Sequence, residues 1–358
     1  MATTYGKNIK LTIYGGSHDE RIGMILSGVP SGIKIDTDKL LSFMKRRAPG
    51  NNAYSTKRRE PDIPVFLSGV CNGITNGEDI EAVIYNTNQR SGDYSLLSDI
   101  PRPSHADYAA RVKYGEDVDL RGGGHFSGRL TAPMCIAGGI CLQILEQKGI
   151  QIAAHIHSIS GICDRDFDSA NVSDADFALL SQNSFPTIDA AAGVAMQEKI
   201  EAARLDCDSV GGVIECAAIG LPVGLGEHMF DGVEGRISQI VFGIPAVKGI
   251  EFGLGFGSTE ILGSQNNDQF CTDGKTVRTL TNNAGGIIGG MTSGMPLIFK
   301  VAFKPTPSIA KKQQSVSLSR MENVELEIGG RHDPCVVPRA VPVVEAACAI
   351  AIFDMLSD

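Results

Sequence analysis

The 358-residue sequence predicts a mixed fold of short strands and buried helices, built as two related halves around one core. Three observations carry this reading. Strand-like runs and helix patterns alternate along the whole chain. Two helix patterns, TAPMCIAGGICLQILEQKG (131–149) and PVVEAACAIAIFDML (342–356), are apolar nearly all round, as expected of helices buried on every side. And GVPSGI at 28–33 returns as GLPVGL at 220–225, each copy after a strand-like run and before a helix pattern.

The elements follow in order. NIKLTIYG (8–15) alternates as a strand, and GMILSGVPSGIKI (23–35) is two strand-like runs around a turn. DTDKLLSFMKRR has cap candidates at Asp36 and Asp38, an apolar face of Leu40, Leu41 and Met44, and a Pro49-Gly50 stop, so it predicts a helix over 36–47. The apolar helix from 131 has Thr131 as candidate N-cap and Pro133 in its first turn. Residues 158–190, rich in Ser, Asp and Asn, read as a solvated excursion or a helix edge. AAGVAMQEKIEAARLDCD (191–208) reads as an amphipathic helix.

Composition limits the function classes. An apolar share of 42% suffices for a large core. Nine cysteines with no CxxC pair and no zinc spacing predict reduced thiols in a cytoplasmic protein. A net charge of −9 argues against a nucleic-acid partner. No leader pattern is visible, and no run is expected to reach the roughly 18 apolar residues that span a bilayer, so no membrane partner is expected.

DLRGGGHFSGRLTAP (119–133) is hard to explain as packing. Gly122 to Gly124 precede His125, Ser127 and Arg129, and the run feeds directly into the apolar helix, where free N–H groups and a positive dipole end converge. It matches neither GxxxxGK[ST] nor GxGxxG, which leaves a ligand loop and a plain tight turn both open. KRRAPGNNAYSTKRR (45–59) carries six basic residues and no acid, and reads either as a solvated loop or as one wall of an anion pocket. Three further blocks share one design, a strand end, a Gly or Pro turn, then Arg, His, Ser or Asp: YGGSHDERIG (14–23), PRPSHADYAARVKYG (101–115) and GGRHDPCVVPRAVPVVEA (329–346). NNAGGIIGGMTSGMPLIFKVAFKPTPS (282–308) adds two Gly pairs before a strand ending at Lys304.

Together these blocks resemble the chorismate synthase family from about residue 6 to the C-terminal helix. The resemblance implies an α+β fold, a β-α-β sandwich with helices between antiparallel sheets, in a single catalytic domain spanning 1–358. It implies a lyase that converts 5-enolpyruvylshikimate 3-phosphate to chorismate and phosphate with reduced FMN and no net redox change. NADPH enters only indirectly, as a source of reduced flavin, because no second nucleotide fingerprint is visible. A homotetramer is implied. By the same resemblance the catalytic set is His18, His105, Asp333, Ser17 and Ser127, with His18 serving the reduced flavin, His105 the phosphate side and Asp333 the deprotonation at N5. FMN contacts fall on His125, Phe126, Ser127, Ala246, Gly289, Lys304, Pro305, Thr306, Pro307, Ser308 and Arg331, and substrate contacts on Arg47, Arg102 and Arg129. A ring of arginines would neutralise a phosphorylated dicarboxylate while the whole chain stays acidic.

The sequence departs from the family pattern at several positions. GESHG is GGSHD, with Gly16 and Asp19; RPGHAD is RPSHAD, with Ser104; GGGRSSARET is GGGHFSGRLT, with His125 and Phe126; a frequent Arg is Ala53; and Asn-Ala is Pro245-Ala246. At 125 a titratable imidazole replaces a permanent charge, so it either favours the anionic flavin at low pH or packs neutral against Phe126. Two other classes stay open: a flavin-binding homologue without lyase activity, and a nonenzymatic Gly-rich scaffold.

Overall fold

A computed structural model describes residues 1–50, 60–86, 99–329 and 333–358. Ala53, Lys57, Arg58, Arg59 and Arg331 therefore lie outside the described residues. The fold is mixed α+β, with several antiparallel sheets. Strands β1 (Ala2–Tyr5), β2 (Lys10–Tyr14), β3 (Arg21–Ser27), β4 (Val65–Ser68) and β7 (Ile80–Tyr85) form one sheet in the order β1-β2-β3-β7-β4, and β5 (Val70–Cys71) with β6 (Ile74–Thr75) makes a small hairpin. A second sheet has the order β11-β16-β10-β8-β9, from β8 (Gln151–Ile159), β9 (Ile162–Cys163), β10 (Gly212–Ile219), β11 (Val247–Phe252) and β16 (Leu297–Phe303). Further hairpins pair β12 (Phe270–Thr272) with β13 (Val277–Thr279), β14 (Ile287–Ile288) with β15 (Met291–Thr292), and β17 (Gln313–Ser317) with β18 (Glu322–Leu326).

The two apolar helices hold the centre. Helix α3 (Thr131–Gln147) packs on β2, β3 and β7 of the first sheet, and α8 (Val337–Met355) on β8 and β10 of the second. Every residue of α3 from Thr131 to Cys141 is buried, which is why its sequence shows no polar face. Helices α3 and α8 touch each other closely. A Cβ on Gly138 would collide with Ala346, and the Cys135 thiol reaches the Pro342 carbonyl at 3.9 Å. Contacts 135 to 342 and 138 to 346 advance in the same sense, so the helices run parallel with both N-termini at one end. Helix α1 (Thr37–Arg47) lies against both, capped by Asp36, whose side chain accepts from the Lys39 N–H at 2.9 Å.

Three expectations are corrected. Thr131 is not the N-cap of α3; it is the first helical residue, because a tight turn at Gly128–Leu130 runs straight into the helix. Its hydroxyl instead donates to the Gly128 carbonyl at 2.7 Å and accepts from Arg47 Nε at 3.1 Å. Residues 158–190 are not simply solvated. They complete β8, add β9, and form α4 (Asp174–Gln182) with a Ser173–Asp176 capping box. Phe167, Phe177 and Leu180 from this segment are buried in a second small core with Ala217 and Ile298. The predicted amphipathic helix is α5 (Ala190–Leu205). Helix α2 (Asp107–Tyr114), α6 (Val233–Val241) and α7 (Gly263–Asn266) complete the set used below. By composition Gly128–Gln147 is long and apolar enough to cross a membrane, contrary to expectation, but 89% of its most apolar window is buried inside the protein.

The repeated hexapeptides adopt the same structure. Gly32 N–H donates to the Thr75 carbonyl, Ile33 N–H to Thr75 Oγ1, Thr75 N–H to the Ile33 carbonyl, and Thr75 O–H to the Pro30 carbonyl, at 2.7–2.9 Å. Gly224, Leu225, Thr292 and Pro222 make the same four bonds at 2.6–2.9 Å. In each half the strand order β2-β3-β7-β4 or β8-β10-β16-β11 is the same, and the turn leads towards a helix, α1 or α6. Both threonines are buried and hold both hydrogen bonds of their hydroxyl, so Thr75→Val and Thr292→Val should each cost about 1–3 kcal/mol. Urea unfolding checks this; a change under about 0.5 kcal/mol at either site would contradict the pairing.

The second sheet buries a charged triad. His155 is wholly buried, with Nδ1 3.0 Å from Asp164 and Nε2 2.8 Å from Glu215. Burial alone would lower the imidazole pKa, but the two carboxylates outweigh it and raise it. A raised folded value means the stabilisation is complete below about pH 6.5 and is lost as pH climbs through the folded value. The stability gap between the parent and His155→Asn should therefore be widest at mildly acidic pH and shrink on the alkaline side. Thermal melts across that range measure it, and a gap that widens with pH would refute the assignment.

Candidate active site

A cavity of about 940 Å³ opens at the shared N-terminal end of α3 and α8. Two parallel helices direct their positive ends at it, an arrangement suited to anions. Its wall brings together residues from sequence-distant blocks: Arg47, Arg102, His105, the 125–129 run, Ala246, Lys304, Thr306 to Ser308, and Asp333.

The three glycines are explained by what they pass. Gly122, Gly123 and Gly124 all have positive φ, at 58°, 90° and 54°. A Cβ on Gly122 would overlap the His18 ring and lie 2.8 Å from Ser17 Oγ; one on Gly123 would stand 3.4 Å from His105 Nε2; one on Gly124 would strike the Asp119 carbonyl. The bare backbone thus threads between the two histidines. Ser17 is held on one side, its N–H donating to the Gly124 carbonyl at 3.1 Å and its hydroxyl to the Arg121 carbonyl at 2.9 Å, with His18 Nδ1 at 3.2 Å from Oγ. Ser17 and His18 are buried directly behind the loop, whereas Ser127 lies on the cavity wall.

The arginines are not a naked positive ring, as the sequence led one to expect. Buried Asp62 bridges Arg47, at 2.7 Å, and Arg129. Arg129 Nε also lies 3.0 Å from Glu60, and Arg47 spans to the Gly128 carbonyl at 2.9 Å. Burial pushes the Asp62 carboxyl up, but the two guanidiniums prevail and hold it below the usual carboxylate range. Arg102 grips Asp107 with Nε and Nη2, both at 2.7 Å, and Arg339 pairs with Asp333. Each guanidinium is oriented by an acid, and all three nitrogens of Arg47 and of Arg102 have partners. Arg129 Nη2 is buried with no hydrogen-bond partner among the described residues, and so is Thr306 Oγ1. Both residues line the cavity.

Other expected residues are placed as follows. Lys304 donates to the Ser104 carbonyl, and its N–H to the Ala246 carbonyl at 3.0 Å, which ties the end of β16 to the 245–246 turn. His125 is part-buried; Nδ1 donates to the Gly15 carbonyl at 2.9 Å and Nε2 lies 2.8 Å from Thr3 Oγ1. Phe126 packs on Tyr114 with ring centroids 6.2 Å apart, so its ring partner is not the imidazole. Pro305 is outside the cavity lining although its neighbours are in it. Gly289 is not brought to the cavity: it sits exposed at the β14–β15 turn, where that hairpin packs on the 220–233 segment. Two departures gain a reason. Ser104 adopts φ 61°, the left-handed region that favours the glycine of the resembled pattern, and a Cβ at Gly16 would stand 3.3 Å from the Asp19 carboxylate, so a side chain there would crowd it. Asp62, Asp107 and Arg339 were not singled out in the sequence. Asp107 and Arg339 stood inside quoted blocks, and only their pairing across elements marks them.

A cavity with His105 on its wall, His18 behind the loop and acid-paired arginines is suited to an anionic small molecule. Comparison with known proteins agrees. The family model for chorismate synthase matches residues 9–357. The chain is 44% identical to the chorismate synthase of Lancefieldella parvula, over 99% of this chain and 96% of that protein, and 45% identical to that of Thermococcus kodakarensis, over 98% and 96%. A crystal structure of chorismate synthase superimposes with a TM-score of 0.76 at 27% identity, covering 98% of this chain and 92% of that one. The chain belongs to the chorismate synthase family.

The threading of the loop can be tested. Gly122 and Gly161 both have positive φ, at 58° and 85°, but a Cβ on Gly161 meets nothing within 4 Å. Gly161→Ala should cost about 1 kcal/mol from backbone strain alone, and Gly122→Ala about 1–3 kcal/mol more as His18 is displaced. Equal losses in denaturant titrations would show that the loop does not press on His18.

Proposed function

We propose that this cavity binds reduced FMN and 5-enolpyruvylshikimate 3-phosphate together and eliminates phosphate in the anti-1,4 sense to give chorismate. Family membership makes the chain a phosphate-eliminating lyase of aromatic amino-acid biosynthesis. The observation that carries the site assignment is the Gly122–Gly124 backbone threaded between His18 and His105. The lining also fits a flavin phosphate and ring system: it combines the apolar Phe126, Ile244 and Val247 with Lys304, Ser308 and the unsatisfied Thr306 hydroxyl. When bound, reduced flavin supplies transient electron density to the substrate ring as phosphate departs.

The protein's own residues bind, orient and control protons. Arg47, Arg102 and Arg129 present fixed guanidinium edges to the substrate's phosphate and carboxylates, with Asp62, Glu60 and Asp107 setting their orientation. His105 holds a proton on the phosphate side, and His18 holds one on the cofactor side, backed by Ser17. Ser127 relays between wall and ligand, and Asp333, oriented by Arg339, is the proton acceptor nearest the start of α8. Lys304 to Ser308 and Ala246 cradle the cofactor, Arg331 is assigned with them, and Gly289 has no supporting contact in this chain's cavity. Pro305 acts only through its neighbours.

Reduced flavin is supplied from outside, with NADPH at most an indirect source. We further read the matching hexapeptide turns and strand orders as an internal duplication within a single sandwich-like domain. Exposed Phe230, Phe256 and Phe270 support association between copies, which the family resemblance makes a homotetramer, and free cysteines at nine positions support a cytoplasmic setting.

The test is phosphate release from the substrate under nitrogen with pre-reduced FMN. The parent should turn over, and His18→Ala and His105→Ala should each fold but lose about 10²–10⁴ in turnover. Flavin uptake without phosphate release would favour a binding homologue, absence of flavin uptake would favour a scaffold, and near-parental activity of both variants would overturn the roles.

A further inference from the structure

We propose that His125 is a positioning residue that clasps strand β1 to the turn carrying Ser17 and His18, and so holds one wall of the cavity in place. Met1, Ala2 and Thr3 line the cavity together with His125. Strand β1 is the edge of the first sheet, and Ala2, Thr3 and Thr4 are exposed. A short, exposed edge strand has little packing of its own to hold it. Its far end is fixed: Tyr5 O–H donates to the Arg236 carbonyl at 2.9 Å, and buried Asp354 accepts from the Asn8 and Ile9 N–H groups at 2.7 and 2.8 Å. Its near end is tied across the cavity rim by Thr3, whose Oγ1 lies 2.8 Å from His125 Nε2.

The roles of the two ring nitrogens follow from what they face. Nδ1 lies 2.9 Å from the Gly15 carbonyl, which can only accept, so Nδ1 carries a hydrogen. In the neutral ring Nε2 is then bare and takes the Thr3 hydroxyl hydrogen. In the charged ring Nε2–H donates to the same oxygen, so the clasp holds in either state. Close by, the Ser17 N–H donates to the Gly124 carbonyl at 3.1 Å and its hydroxyl to the Arg121 carbonyl at 2.9 Å. Three bonds thus lace the turn at 15–17 to the glycine loop, and His125 extends the lacing to β1.

The alternatives left open at 125 both fall away. Each ring nitrogen is committed to a protein group, and the Phe126 ring packs on Tyr114. What remains for the cavity is the carbon edge of the imidazole. Where the resembled pattern has a guanidinium, this chain spends the position on fixing its own wall.

The effect on flavin rests on the function proposed above; the clasp does not. Nitrogen-15 NMR of the full chain labelled at histidine reads the ring, with the signal identified by its loss in His125→Phe. Recorded where imidazoles are neutral, the parent should show Nδ1 protonated and Nε2 bare, before and after FMN is added. Hydrogen exchange of residues 1–5 reads the strand. Thr3→Val and His125→Phe should each speed it about two- to tenfold, the worth of one hydrogen bond. The double variant should exchange no faster than His125→Phe, and Thr3→Ser, which keeps the hydroxyl, should match the parent. Both loosened variants should release FMN faster by a similar factor. A bare Nδ1 in the parent overturns the proposal without any variant having to fold. So do a hydrogen that moves to Nε2 when FMN binds, and unchanged exchange in a folded Thr3→Val. Faster exchange with unchanged FMN release overturns the wall's part in holding flavin. If the parent takes up no FMN while the NMR and exchange results hold, the proposed function fails and the clasp stands.

Discussion

The close parallel contact of α3 with α8 is the constraint on which the rest depends. Gly138 lets the two backbones approach until Ala346 fills the gap, and the helices, apolar all round, have no other stable place than between the sheets. Because they run in the same sense, their N-termini share one end of the molecule. Unsatisfied N–H groups and positive dipole ends converge there before any side chain is considered. The glycine loop leads into α3 and Asp333 stands just before α8, so the strands and loops need only deliver histidines and arginines to a site already biased towards anions.

That bias explains an apparent excess. Arginines meant for an anionic ligand would repel one another in a buried wall. Here Asp62, Glu60, Asp107 and Asp333 neutralise and aim them, and Arg129 Nη2 is left without a partner among the described residues. The wall is therefore held in shape by its own ion pairs, and the binding proposed for it would rely on oriented groups more than on bulk positive charge.

What could be read in the sequence was what is local. Asp36 and the Pro49-Gly50 stop bracket α1 because caps act within one turn, and the hexapeptides at 28 and 220 announce themselves because each turn is self-contained up to one threonine. The glycine run and the two histidines were visible for the same reason, and the resemblance they carry led to the family. The pairing of Arg47 with Asp62 and Arg129 was not legible, since it joins a helix, a loop and a turn that meet only in the folded chain. The segment 158–190 misled because its average polarity hides Phe167 and Phe177, which face a second core. Thr131 looked like a cap because the turn before it has no sequence mark, and Gly289 fell with the family pattern while its hairpin packs elsewhere.

The proposed function places flavin and substrate together in the cavity at the paired N-termini, between the loop of Gly122–Gly124 and the start of α8. A crystal structure of the chain with oxidised FMN and substrate would decide this. Both ligands are expected in this cavity, the flavin against Lys304 to Ser308 and the substrate's anionic groups within hydrogen-bond reach of Arg47, Arg102 or Arg129. Flavin bound anywhere else, or a substrate phosphate remote from both His105 and these arginines, would contradict it.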